Sequence, residues 1–399
     1  MKVLITTWVF PTHGGVFSFL ERVIPQLAAR GDEFDVMAVA PSSQARRPFP
    51  GLPSERVHNV RQLRLPRPFS FPLLSFILAT VRTAKTRGCE LIFCQDPFYS
   101  GIPSLFASKL LDLPLIVADH GMITNFTERD YWHNFGFRLV PAWQMLSRVA
   151  IKAVLNGASL LYAPGPDIAE RVKGLFGTRA AGKMRTFPIG IDTERFRPSG
   201  EARDAVRREL ALGNSPTAVF VGRLHVESGL EYLVEAVRLI PEGGRPVVLI
   251  VGDGALRPKY EGEAEAKAPG AFRFLGYSDR VPEYLNAADI FVFPKVFAGG
   301  YSISLREAMA TGLPSIATAS VDSHDRIIRT GTDGLLVPAR DAGALSREIA
   351  RLLSNPGLRA ALGSEARRTI LEHFSMEGFR SQLEELFSQA TRRRSPRSE

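Results

Sequence analysis

Leu285-Asn286-Ala287-Ala288-Asp289-Ile290-Phe291-Val292-Phe293-Pro294 and, a few residues on, Ala298-Gly299-Gly300-Tyr301-Ser302-Ile303-Ser304-Leu305-Arg306-Glu307-Ala308-Met309 decide the fold. Four apolar residues bounded by Asp and Pro read as a buried strand. A glycine-rich loop follows, and a helix begins near Ser302. A strand that runs through such a loop into a helix is half of a parallel β-α-β unit.

The same order recurs on both sides. Upstream, Ala202–Leu210 reads as a helix, Ala218–Val221 as a strand, Gly229–Ile240 as a helix and Val247–Val251 as a strand; Phe272–Leu275 and Ser315–Ala317 add further strands. An earlier round begins with Lys2–Thr7, passes Pro11-Thr12-His13-Gly14-Gly15 into a helix over Val16–Arg30, and continues with Phe34–Ala40. Leu91–Cys94, Leu115–Ala118, Leu160–Ala163 and Arg185–Pro188 extend it, with a helical pattern over Ser104–Leu111. Strands alternating with helices imply parallel sheets covered on both faces. The right-handed crossover rule leaves few other topologies. The chain of 399 residues suits two such domains. The expected division is 1–198, 199–375, a junction helix over 376–390, and a disordered basic tail over 391–399. In α/β domains of this kind ligands bind at the carboxyl ends of the strands, which puts the expected site in the cleft that the domains face.

Composition narrows the class. Charged residues make up 23% and apolar residues 45%, as in ordinary globular proteins. Two cysteines, Cys89 and Cys94, are too few for a disulfide framework and fit no common metal spacing, so two plain thiols in a reducing cytosol are expected. The chain opens directly into a strand pattern, and its longest apolar stretch, near Phe69–Val81, is too short to cross a bilayer. A cytoplasmic protein, peripheral to the inner face of the cell membrane at most, is the expectation.

The net charge of +9 lies in one half: residues 1–200 carry 24 Lys and Arg against 15 Asp and Glu. Much of it falls in residues 44–87, where Arg46, Arg47, Arg56, Arg61, Arg64, Arg67, Arg82, Lys85 and Arg87 face only Glu55, with Phe49, Phe69, Phe71 and Phe76 between them. Such a segment is either a contact with an anionic membrane surface or a solvated loop with some buried Phe. Nucleic acid is disfavoured as a partner, since no recognised binding motif accompanies the charge.

Three clusters carry chemistry. Gly14-Gly15 opens a helix after the first strand, where glycine lets ligand oxygens approach the backbone and the helix start favours negative charge; a tight turn without ligand is the alternative. Arg223 follows the strand Val219-Phe220-Val221 and Gly222, placed to grip a diphosphate or to stand idle on a loop. At the third cluster, free backbone N–H groups at the helix start near Ser302 suit a phosphate. Glu307, within that helix, suits the hydroxyls of a sugar, or is a plain surface glutamate.

Together these clusters resemble the family 4 glycosyltransferases, which have the two-domain GT-B fold of doubly wound Rossmann-like domains. The resemblance is most specific from Val219 to Pro338, through Gly222-Arg223-Leu224, Ile250-Val251-Gly252-Asp253-Gly254, Phe274-Leu275-Gly276, the run Ala287–Pro294, Glu307-Ala308-Met309-Ala310-Thr311-Gly312-Leu313-Pro314 and Gly334-Leu335-Leu336-Val337-Pro338. The first half matches more loosely, through Gly14-Gly15, Asp119-His120-Gly121, Ala163-Pro164 and Phe187-Pro188-Ile189-Gly190-Ile191-Asp192.

The resemblance implies transfer of a sugar from a nucleotide-diphosphate donor, with retention, to a polysaccharide or glycolipid acceptor. It implies catalytic roles for His120, Arg223 and Glu307: His120 on the donor sugar, Arg223 on the diphosphate, Glu307 on the ribose. The donor-binding set it implies is Gly14, Gly15, Arg223, Ser228, Tyr277, Gly299, Gly300, Tyr301, Ser302, Ile303 and Glu307. No cofactor is expected beyond the nucleotide-sugar co-substrate, and no metal, since the sequence has no Asp-x-Asp pair.

Three positions depart from the family pattern. Ser228 stands where the family has a Lys, Gly299 where it has a Glu, and Arg326 where it has an acidic residue. Lys295, His225 or Arg326 could supply the missing cation. The departures leave two alternatives to an active transferase in polysaccharide or glycolipid biosynthesis: a degenerate member that binds nucleotide or serves as a partner subunit, and an epimerase or phosphorylase on the same fold.

Overall fold

The computed structural model describes residues 1–7, 15–28, 31–40, 52–61, 72–121, 140–296, 302–319 and 324–392. They form two compact units. The first comprises Met1–Ile189 and Phe379–Glu399, the second Gly190–Gly378.

The first unit is built on a parallel sheet ordered β3-β2-β1-β4-β5-β6-β7: β1 (Lys2–Thr7), β2 (Glu33–Ala40), β3 (Val57–Arg61), β4 (Leu91–Cys94), β5 (Leu115–Ala118), β6 (Leu160–Ala163) and β7 (Met184–Thr186). β4, β5 and β6 are buried at every position, which is why they read as unbroken apolar runs rather than alternating ones. Helices Leu73–Arg87, Gly101–Leu111 and Val140–Gly157 carry the crossovers after β3, β4 and β5.

The second unit repeats the plan in the order β10-β9-β8-β11-β12-β13: β8 (Thr217–Val221), β9 (Val247–Val251), β10 (Phe272–Gly276), β11 (Ile290–Phe293), β12 (Ser315–Thr318) and β13 (Leu335–Val337). All described pairings in both sheets are parallel. Asp289, just before β11, ties the sheet to the helix Gly200–Glu209: it accepts from Arg203 Nη2 (2.6 Å) and from the backbone N–H of Thr217 (2.8 Å).

Three expectations need correction. The first unit ends at Ile189 rather than near 198, and the chain returns to it from Phe379 onward. There the Phe379 ring packs 5.8 Å from Phe19 and 5.7 Å from Phe187, and Phe387 lies 5.3 Å from Phe93. The final helix runs from Met376 to Arg392, so Thr391 and Arg392 belong to no disordered tail; Thr391 Oγ1 donates back to the carbonyls of Phe387 (3.2 Å) and Ser388 (2.9 Å).

The third correction concerns the basic segment 44–87. Val57–Arg61 is an edge strand, and Leu73–Arg87 is an amphipathic helix with Phe76 fully buried beneath it. Phe76 is therefore core, and no aromatic partner of the cations. Arg56 pairs with Glu33 (2.8 Å) and Arg87 with Asp35 (3.3 Å), while Arg82 and Lys85 are exposed. Arg46, Arg47, Arg64, Arg67, Phe49, Phe69 and Phe71 lie outside the described residues, as does the side chain of Arg61.

Candidate functional site

Each sheet reverses its winding once. In the second unit the reversal falls between β8 and β11, and in sheets of this kind ligands bind at the carboxyl ends of the strands flanking such a reversal. Gly222-Arg223 leaves β8, and Pro294–Ser302 leaves β11.

Glycines let these segments lie together. A Cβ at Gly252 would sit 1.9 Å from the carbonyl oxygen of Gly222, and one at Gly254 2.3 Å from that of Leu224. Gly229, at φ +66°, meets the exit of β11: its Cβ would fall 2.0 Å from the carbonyl oxygen of Pro294. The turn is stitched further by Val296 N–H donating to Glu227 O at 3.1 Å. Arg223 stands at the rim of this braced backbone, exposed, with no ion pair to a described residue.

Ser302 stands at the N-cap position of the helix Ile303–Ala310, the one the sequence places after the glycine-rich loop; it is buried, and its side chain makes no capping hydrogen bond. Its hydroxyl lies 2.7 Å from His324 Nε2, and His324 Nδ1 lies 2.8 Å from the carbonyl oxygen of Thr318. A carbonyl only accepts, so Nδ1 donates to Thr318, and in the neutral ring Nε2 accepts from the Ser302 hydroxyl. His324 is completely buried, with its ring 5.6 Å from Phe293.

Glu307 is 5% exposed, which overturns the plain reading of it as a surface glutamate. Helical side chains lean toward the helix start, so its carboxylate is directed back to the first turn, one turn from Ile303. Its neighbour Arg306 is wholly buried, the guanidinium 5.5 Å from the centre of the Phe374 ring and Nε 3.4 Å from Ser302 O. Arg306 braces the helix that presents Glu307.

Other expected positions fall differently. Ser228 is buried and its hydroxyl donates to the carbonyl of His225 at 2.6 Å, closing its own turn. Tyr277 is 57% exposed, its hydroxyl 2.9 Å from Asp279. Of the suggested substitute cations, His225 and Arg326 are exposed and Lys295 is half-buried, its backbone carbonyl accepting from Thr318 Oγ1 at 2.5 Å. Gly14, Gly299, Gly300 and Tyr301 lie outside the described residues, and Gly15 begins the helix Gly15–Ala28.

In the first unit the winding reverses between β1 and β4, and β5 lies beside β4. Gln95 follows β4 and His120 follows β5, and parallel pairing brings them to one edge: His120 Nε2 is 3.1 Å from Gln95 Oε1. Gln95 Nε2 donates to Phe93 O at 3.4 Å, which leaves Oε1 to accept from His120. That gives a neutral imidazole with the proton on Nε2 and an accepting lone pair on Nδ1. The ring lies 4.9 Å from Phe19 and 6.3 Å from Tyr162, and burial lowers its pKa to about 4. Next to Gln95, Asp96 is pushed up to about 6 by burial, partly offset by hydrogen bonds from Ser100; it also accepts from the backbone of Phe98 at 3.0 Å. Both cysteines are free and buried, their thiols pushed up to about 12, chiefly by burial.

Sequence reading missed Gln95, Arg306 and His324. A charge inside the apolar pattern Ile303–Ala310 was a usable signal for Arg306. Gln95 and His324 carry no local signal, because each is defined by a neighbour that only sheet pairing supplies.

The family model described as "Glycosyltransferase Family 4" matches residues 13–195, and that described as "Glycosyl transferases group 1" matches 215–355. The chain is 24% identical to a GDP-mannose-dependent alpha-(1-6)-phosphatidylinositol monomannoside mannosyltransferase of Mycolicibacterium smegmatis, across 97% of this chain and 98% of that one. Among solved structures it is similar to HepE of Anabaena in complex with UDP, with a TM-score of 0.79 at 18% identity over 97% and 100% of the two chains. A sucrose-phosphate synthase from Thermosynechococcus elongatus gives 0.75 at 23% identity over 97% and 98%. At these identities the two structures speak for the fold alone: two parallel sheets with flanking helices, as expected for GT-B.

Proposed function

The chain belongs to the family 4 glycosyltransferases, and from that premise we propose that it transfers a sugar from a nucleotide-diphosphate donor to a glycolipid or polysaccharide acceptor, with retention. The observation that carries the reading is that the exposed Arg223 follows β8, and that the helix start at Ser302 and the buried Glu307 follow its neighbour β11.

The chemistry follows from charge. As the bond from the anomeric carbon to the diphosphate oxygen breaks, negative charge grows on the leaving group. A fixed guanidinium and oriented N–H dipoles stabilise that charge without reorganising. The acceptor hydroxyl bonds to the same face of the anomeric carbon and passes its proton to the departing phosphate oxygen, so no protein nucleophile is needed. Glu307 accepts from the ribose hydroxyls, and His120 Nδ1 accepts from a hydroxyl of the donor sugar. His120 is neutral at physiological pH, which suits it to that contact and unsuits it to serve as a cation. With Ser228 turned inward, Arg223 is the main cation for the diphosphate. The transfer is proposed to be independent of divalent metal, which unchanged turnover in excess chelator would support and abolished turnover would refute.

The acceptor of the mycobacterial relative is a phosphatidylinositol mannoside by its name, and a lipid-held acceptor is proposed here as well. Among the described residues no helix is long and apolar enough to cross a membrane, so contact with lipid would be peripheral.

Calorimetry with a panel of nucleoside diphosphates and their sugars tests the proposal. Selective binding lost in Arg223→Ala and Glu307→Ala supports it. A folded protein that binds none of them refutes it, and one that binds a donor but transfers nothing is the degenerate member instead.

A further inference from the structure

The end of the second sheet away from Arg223 carries a basic concavity of its own. Pro216 leads into β8 and Asp289 into its neighbour β11, so both lie at the amino ends of these strands. A cavity of about 510 Å³ opens there, and its lining brings Arg203, Arg207, Arg208 and Arg359 together with only two carboxylates, those of Asp204 and Asp289. Three of the arginines share the helix Gly200–Glu209, and the fourth stands in the helix Pro356–His373. β8 is five residues long, which separates this pocket from Arg223 by roughly 16 Å along the strand.

Most of these guanidiniums are held by neutral acceptors. Arg207 donates to the carbonyls of Gly213, Ser215 and Ala287 at 2.8 Å and to the Thr217 hydroxyl at 3.3 Å. Arg203 Nη1 donates to the carbonyl of Ala288 at 2.7 Å, and Arg359 Nη1 to those of Leu352 and Leu353, both at 2.7 Å. A carbonyl fixes a guanidinium without cancelling its charge. Among the described residues the one close ion pair here joins Arg203 to Asp289 at 2.6 Å; Arg207 lies 3.9 Å from the same carboxylate. Burial lowers the pKa of Arg207 and the charge of Arg203 lowers it further, while Asp289 and Asp204 offset this only in part. The pocket therefore holds fixed positive charge in excess.

Stapling the chain that leads into β8 accounts for Arg207 and for part of Arg203. It does not account for Arg208, which is exposed and has no ion pair to a described residue, nor for the second arm of Arg359. Guanidiniums that repel one another and are already immobilised gain from an anion that accepts from several of them at once. The volume falls in the range of small-molecule sites and exceeds what a lone phosphate group fills. Leu353 and Pro216 give the lining an apolar part.

We propose that this pocket binds a small phosphate ester, its phosphate held by Arg208, Arg359 and the remaining N–H groups of Arg203, and its organic part set against Leu353 and Pro216. A phosphate ester offers three accepting oxygens in three directions, which suits donors arriving from two helices; a planar carboxylate fills one fork. The bound anion joins the helix Gly200–Glu209 to the helix Pro356–His373 and so stabilises the second unit. The site lies at the other ends of the strands that carry the donor edge, and it does not rest on the transferase reading.

The test uses the full chain at low ionic strength, with ribose 5-phosphate and inorganic phosphate as probes in calorimetry and thermal unfolding. Ribose 5-phosphate is expected to bind more tightly than inorganic phosphate and to raise the unfolding midpoint, whereas potassium chloride at matched ionic strength does not. Arg208→Gln and Arg359→Gln should each weaken that binding by about tenfold, as loss of a charge-assisted hydrogen bond does. Arg223→Ala should leave it unchanged, since that residue stands at the opposite strand ends. Because Arg208 is exposed, its variant should keep the parent's midpoint without probe, so lost binding reports the pocket and not misfolding. Absence of binding, binding lost in Arg223→Ala but kept in Arg208→Gln, or an equal response to chloride overturns the proposal. Equal affinity for the two probes overturns the ester and leaves free phosphate as the ligand. None of these readings uses a nucleoside diphosphate, so failure here and failure of the transferase reading are told apart.

Discussion

The two winding reversals share a topology and differ in charge. At the second unit's reversal stand an exposed guanidinium, a helix start at Ser302 and a buried glutamate. At the first unit's stand an amide, a neutral imidazole and a carboxyl whose pKa burial raises. One edge is suited to a diphosphate and the other to hydroxyl groups. Topology therefore places a crevice, and a handful of side chains at the strand ends decide what chemistry it accepts.

That contrast can be broken first at Arg223. Arg223→Ala is expected to lower affinity for nucleoside diphosphates and for their sugars alike by about 100-fold, the upper end for loss of hydrogen bonds to a charged group; calorimetry measures it, and a small change ends the ionic reading of this edge. Glu307→Ala is next. Loss of charged hydrogen bonds to ribose, at about 1.5–3 kcal/mol, corresponds to roughly 10- to 100-fold in affinity, whether or not the nucleotide carries a sugar.

The first unit's edge should behave in the opposite way. Gln95→Leu leaves the Nε2–H of His120 without its acceptor and lets the tautomer drift. It should destabilise the protein by about 1–3 kcal/mol in denaturant titration and weaken binding of the sugar-bearing donor while sparing the bare diphosphate. Nitrogen NMR of the imidazole reads the tautomer directly; a proton on Nδ1 in the unaltered protein would contradict the geometry.

A separate effect is on acid stability. The folded pKa of His120 is depressed to about 4, below its unfolded value near 6.5. Between those values the unfolded chain holds a proton that the folded protein does not. Stability is thus lost as pH falls from about 6.5 to about 4. His120→Gln should remove that part of the slope, and an unchanged profile would show that the imidazole is not the group responsible.

Legibility followed burial. Strands β4, β5, β6, β9 and β11 were read with the boundaries the structure shows, because a strand covered on both faces is a short unbroken apolar run. The strand Val57–Arg61 and the helix Leu73–Arg87 were not, since charge dominates residues 44–87 and hides the inward pattern of Phe76, Thr80 and Ala84. Arg223 and Glu307 were legible because glycine-rich turns mark strand ends and helix starts. Their environments were not: Glu307 read equally well as a surface residue until its burial was seen, and no local pattern showed that Ser228 is buried with its hydroxyl on the carbonyl of His225.

The sequence by itself determined the alternation of strands and helices, hence two parallel sheets, and the short motifs that mark a diphosphate site. Those features are local, set by hydrophobic period and by where glycine is required. Only the tertiary structure decided that Gln95 sets the tautomer of His120 and that Ser302 and His324 share a hydrogen bond. Each of these joins residues distant in the chain through sheet order and crossover hand, and no local pattern encodes which strands become neighbours.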